Sequence, residues 1–174
     1  MSAYMPSSSL LSWAKRLGLE FRPPNGYPAA FYNAGWEDRY FVYHSESALP
    51  FHVTQATRSS EENFLFDAYS ADVVDSYFWM FFGSAIRLSL GLPRLRPLMQ
   101  KSDVAAPYSI SGPLDEKLTL IDGRGQAVMF TSDSMIDVGR LVKTSIALTS
   151  SIEEIEQSFL SDSGAPIFQP ADMK

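Results

Sequence analysis

Residues 70–91, "SADVVDSYFWMFFGSAIRLSLG", constrain the fold more than any other stretch of the chain. Val74, Tyr77, Phe78, Phe81, Ala85 and Leu88 recur at spacings of three and four, the period of a helix with a buried face. Ser70 is placed to cap its start, Asp72 and Asp75 fall in or near the first turn, and Arg87 falls near the last. Gly91 suits the left-handed position just past a helix, and Pro93 forbids a simple continuation. A helix this aromatic must be packed, and the rest of the chain supplies what packs it.

Before it, "SSSLLSWAKRLGLEF" reads as a short helix capped by Ser8 or Ser9, with Leu10, Leu11, Ala14 and Leu17 on one face and Gly18 after its end. "PAAFYNAGWEDRYFVYHS" reads as two strands around a turn at 33–35, with Tyr40-Phe41-Val42-Tyr43 as strand core. "PFHVTQATR" places Phe51, Val53 and Gln55 against His52, Thr54 and Ala56. "NFLFDAY" places Phe64, Phe66 and Ala68 together. Short connections make these four strands an antiparallel meander with one wet face.

After the helix, "PYSIS" and the hairpin "EKLTLIDGRGQAVMFTS" add a second β section, the "DGRG" being turn residues. Residues 134–149 are ambiguous between helix and strand, with a lean to helix from Asp137 to Leu148. "SIEEIEQSFLSDSG" is a helix opened by a Ser151–Glu154 capping box, with Ile152, Ile155 and Phe159 on one face and Gly164 closing it. Ile167 and Phe168 dock the tail. The expectation is an α+β fold in a single domain, 1–174, with 1–8 and 169–174 as flexible ends. An antiparallel sheet, meander plus hairpin, packs against the long aromatic helix, with short helices at either terminus.

The chain has no cysteine, which removes disulfides, thiolate chemistry and Cys-ligated metals. Twenty acids against fourteen bases leave a net charge of −6, which repels nucleic acid and anionic lipid and suits a basic protein partner. Met1 to Ser9 lack a basic stretch followed by a long apolar one, so no signal peptide is expected. His44 and His52 sit in predicted strands without a metal-ligand pattern. "SWAK" (Ser12 to Lys15) matches S-x-x-K, but the S-D-N element that would give it chemistry is missing. The acidic pairs Glu61-Glu62, Asp115-Glu116 and Glu153-Glu154 read as solvated or as helix-dipole partners. No catalytic residue, cofactor or metal is expected.

One stretch breaks the acidic trend. "IRLSLGLPRLRPLMQK", 86–101, carries Arg87, Arg94, Arg96 and Lys101 and no acid, and is apolar as well. The helix accounts for its first part; the rest is a proline-bounded loop. Together with the aromatic helix, the "Phe82-Gly83", "Ile86-Arg87" and "Gly91-Leu92-Pro93-Arg94-Leu95" steps and the closing "Gly164-Ala165-Pro166-Ile167-Phe168" carry a family resemblance. In these features, and in the order of its meander, the chain resembles bacterial immunity proteins that neutralise tuberculosis-necrotizing-toxin-type NAD glycohydrolases. The resemblance implies a non-enzymatic cytoplasmic protein that binds its toxin one to one and blocks the NAD site.

Loops fixed to a rigid element commonly carry binding function, and arginine pairs bidentately with carboxylates. The candidate toxin contacts are therefore Arg94, Leu95, Arg96, Gln100 and Lys101 on the loop. Trp36, Tyr40 and Tyr43, placed on the outer side of the meander, join them as an aromatic face. Two other classes stay open: a small acidic secretion chaperone, dimeric by a hydrophobic seam, and an enzyme or small-ligand protein using His52 or the tyrosines.

Overall fold

The computed structural model describes residues 3–45, 51–58, 60–112, 117–132 and 135–171. The order of elements is α1 (Ser8–Lys15), β1 (Glu20–Arg22), β2 (Ala29–Tyr32), β3 (Asp38–His44), β4 (Phe51–Thr57), β5 (Asn63–Ala68) and α2 (Ala71–Ser89), then β6 (Ser109–Ser111), β7 (Thr119–Ile121), β8 (Ala127–Phe130), α3 (Met135–Thr149) and α4 (Ile152–Leu160). The strands form one eight-stranded antiparallel sheet in the order β1-β2-β3-β4-β5-β8-β7-β6. Two meanders thus meet at β5 and β8, where only Asp67–Phe130 and Ala68–Met129 pair. This is the expected α+β architecture, extended by β1 and by a full helix α3.

The local signals that set α2 hold. Ser70 accepts a hydrogen bond from the Val73 amide, and Gly91 takes φ +67° just beyond the helix. Its aromatic side lies on the inner face of the sheet: Phe78 is edge-on to Phe31 at 5.0 Å, Phe81 to Tyr40 at 5.3 Å, and Tyr77 meets Phe66 at 4.5 Å. On the other side Trp79 meets Trp13 of α1 at 5.3 Å, and the Trp13 indole N–H donates to the Trp79 carbonyl. Phe31, Phe66, Phe78 and Phe82 are fully buried. Burial of about 2 kcal/mol each makes this ring layer the dominant stabilising term around the helix.

Several expectations need correction. Ser7, not Ser8 or Ser9, caps α1 by accepting from the Leu10 amide. Phe64 does not share a face with Phe66: the register moves from Val53–Phe66 to Thr54–Phe64, so Leu65 is an extra residue in β5. The bulge turns Phe64 to the outer face, where it stacks on His52. That outer face is not simply wet, since Thr54 and Ala56 are buried. Leu88 and Ile152, expected in the core, are exposed. The ends are tied rather than loose among the described residues: Tyr4 is buried and donates to Asp75 at 2.8 Å, and Gln169, Pro170 and Ala171 pair with another segment. Asp115, Glu116 and Ser134 lie outside the described residues.

The capping box of α4 is complete, with Ser151 Oγ accepting from the Glu154 amide and the Glu154 carboxylate from the Ser151 amide. Helix α4 crosses α2 at Gly83, where a Cβ would stand 2.3 Å from the Phe159 ring. In a helix, Gly→Ala alone gains about 1 kcal/mol, so the sign here is set by the clash. Gly83→Ala is expected to destabilise the protein by about 2 kcal/mol in urea denaturation, because α4 must move. Phe159→Leu in the same background should recover part of that loss.

Candidate partner-binding surface

The proline-bounded segment 92–98 is a strap laid across one end of the helical layer. The Arg87 side chain fixes where it begins. Arg87 is 4% exposed, and its Nε donates to the Pro93 carbonyl at 2.7 Å. The rest of the guanidinium faces the end of α4, donating to the carbonyls of Ser158, Phe159, Ser161 and Asp162. The last carbonyls of a helix lack intrahelical partners and carry its negative dipole end, so a buried planar cation satisfies both needs.

Further along, Leu95 bridges Pro170 as a short antiparallel pair. The Arg96 amide donates to the Gln169 carbonyl, and the Ala171 amide to that of Arg94, each at 2.8 Å. Gly164 stands at φ +78°, where a Cβ would meet Leu95 at 2.4 Å, so the glycine lets the tail close over Leu95. The strap then rests on α3: a Cβ on Gly139 would lie 2.8 Å from Met99 Sδ.

The expected contact residues therefore separate. Arg94 is exposed, and its guanidinium has no partner among the described residues. Arg96 pairs with Asp103 at 3.0 Å, and Leu95 is half-buried as the anchor of the strap. Gln100 is exposed and accepts from the Ser102 hydroxyl; Lys101 Nζ donates to the Gly112 carbonyl at 2.7 Å.

Tyr40 is a correction: it is buried in the core against Phe78, Phe81 and Phe82, and burial pushes its phenol up to about 12. Tyr40 and Tyr43 are three apart in a strand, so they cannot share a face. Tyr43 does lie on the outer face, donating to Glu62, its phenol raised to about 12 by burial and by that carboxylate. Trp36 stacks on Tyr32 at 4.4 Å, with the Arg22 guanidinium 5.1 Å from its ring. This outer face lies across the sheet from α2 and the strap, so the eight residues do not form one site.

Sequence reasoning missed what borders the strap. Leu88, Met99 and Ile136 are exposed apolar side chains, and Lys143 of α3 stands among them. The signal was present in part: the helical stripe of α2 continues to Leu88, beyond what the fold covers. His52 Nδ1 donates to the Asp67 carboxylate at 2.7 Å on the outer face, an ordinary exposed pair. Among the described residues no group of three or more His, Asp or Glu is placed to hold a metal ion, and no helix is long and apolar enough to cross a membrane.

The tied strap thus carries a cation without a partner among the described residues, beside exposed apolar side chains. The family model for immunity protein 61 matches residues 13–167, and the chain belongs to that family. Immunity proteins of this kind are not enzymes. The chain is 31% identical over 169 residues to the protein named immunity factor for TNT from Mycobacterium tuberculosis and to its homologue from Mycobacterium bovis, covering 93% of this chain and 92% of theirs. The solved structure of Rv3902c from M. tuberculosis superposes with a TM-score of 0.82 at 29% identity over 98% of both chains.

Replacing Arg87 by methionine keeps the length of the side chain and removes every donor. Five carbonyls then lose a charged donor, although that of Ser161 still accepts from the Gly164 amide, and the variant is expected to be less stable by about 3 kcal/mol in urea denaturation. Hydrogen exchange at the Arg96 and Ala171 amides should accelerate more than at the β3–β4 ladder, because the strap loses its fixed start.

Proposed function

We propose that this protein binds a cognate NAD-degrading toxin domain of the TNT type, one to one and in the cytoplasm, and inhibits it by covering its active site. The observation that carries the reading is the likeness, along nearly the whole chain, to proteins named immunity factors for TNT. The strap is the element that meets the toxin. It is held at Pro93 by Arg87 and at Arg94–Arg96 by the tail, so little conformational entropy is lost when a partner closes on it. Arg94 projects from it unpaired, able to reach a carboxylate in an acidic catalytic cleft. The overall net charge of −6 steers a basic toxin domain toward the complex, while the strap sets the local contact.

The experiment uses an NAD-degrading toxin domain of the TNT type and follows NAD consumption as the protein is titrated in. Inhibition should be complete at one equivalent. Arg94→Glu combined with Arg96→Glu is expected to weaken inhibition at least tenfold while the melting temperature stays within about 2 °C, since both side chains are at the surface. Full inhibition by the double variant removes the strap from the interface, and unchanged NAD consumption with the unaltered protein removes the reading itself.

A further inference from the structure

Between α2 and α3 runs an open groove of about 400 Å³. Tyr77, Phe81, Ala85 and Leu88 form one wall, Ile136, Gly139 and Lys143 the other, and Met99 closes the end at the strap. At Ser84, Leu88 and Lys143 it joins a second hollow of about 340 Å³ beneath the strap. Both helical stripes have the spacing of packing surfaces, yet nothing among the described residues fills the space between them. Leu88 is 74% exposed and Ile136 63%.

The charge of this region runs against the rest of the molecule. Arg87, Arg94, Arg96, Arg140 and Lys143 line the two hollows, and no Asp or Glu does. Three of the five are already satisfied, Arg87 by carbonyls, Arg96 by Asp103 and Arg140 by Asp137. Arg94 and Lys143 have no partner among the described residues. Burial lowers the Lys143 pKa from the ordinary lysine value, the mark of an ammonium stripped of water without a counter-charge.

We infer that this groove seats a segment of the toxin in which an apolar side chain adjoins a carboxylate: the apolar group lies on Leu88, Phe81 and Ile136, and the carboxylate pairs with Lys143. The inference rests on the immunity reading and adds the chemistry of the toxin's anchor to it. A second copy of this chain is disfavoured, since a self-complementary contact would bring two cationic hollows together. A small amphiphile is disfavoured because Leu88 and Ile136 stand on the rim, where a partner surface meets them, rather than enclosed on the floor.

The test measures the affinity of the full chain for the toxin domain by isothermal titration. Lys143→Met and Leu88→Asp are each expected to weaken binding tenfold or more, whereas Lys15→Met, a charge loss on the exposed face of α1, should stay within twofold. Folding does not confound the result, because Lys143→Met removes an unpaired, partly buried charge and should melt at or above the unaltered protein. Leu88→Asp changes an exposed side chain. If toxin binds the unaltered protein and both groove variants within twofold of each other, the inference is overturned and the immunity reading stands. If toxin does not bind the unaltered protein, that reading fails and takes the inference with it.

Discussion

The arrangement on the helical side of the molecule depends on where one guanidinium is buried. Arg87 lies in the last turn of α2, and its donors reach the strap at Pro93 and the end of α4 at 158–162. An unpaired cation there would be prohibitive, and so would a helix end left with buried, unpartnered carbonyls. Each defect cancels the other. Because arginine presents five donors in a rigid fork, the angle between α2 and α4 and the departure of the strap are set together. Lysine, with one nitrogen, has no comparable way to hold two separate groups of carbonyls.

Once the strap is fixed, the rest of that side follows. Leu95 packs under Gly164, the tail pairs with the strap backbone, and Met99 reaches Gly139 of α3. Helix α2 is apolar nearly all round, which a central helix requires: the sheet takes Phe78 and Tyr77, α1 takes Trp79, and α4 takes Gly83. Covering so many directions with three helices and a sheet leaves one stripe, Phe81-Ala85-Leu88, only partly covered beside α3. The open groove is thus the remainder of the core's own packing surface.

Elements whose signals are local were legible from the chain. Ser70, Gly91, the Ser151–Glu154 box and the "DGRG" turn each work through hydrogen bonds or φ values within a few residues, and all fall where expected. Signals that depend on distant partners were not. Phe64 follows the alternation of β5 until Leu65 bulges, which only the pairing with β4 decides. Tyr40 is placed by parity relative to Val42, and three residues separate it from Tyr43. Arg87 reads as a routine cation at a helix end, while four of the five carbonyls it serves are 71 to 75 residues away, and Lys143 becomes notable only when α3 lies against α2. The strap was legible as a loop with spare positive charge; the groove beside it was not.

The two aromatic or basic faces also differ in what they have left to offer. On the outer sheet face Tyr43 and Thr54 both donate to Glu62, His52 pairs with Asp67, and Arg22 lies over Trp36 and donates to the Pro28 carbonyl. A partner docking there would replace contacts already formed, so its gain is only the difference between old and new. Around the strap, Arg94 and Lys143 carry charges with no internal partner among the described residues, next to leucine and isoleucine side chains still in water. Contacts made there are nearly all new. The strap side therefore has more to gain from a partner than the outer sheet face, where each new contact displaces one already made.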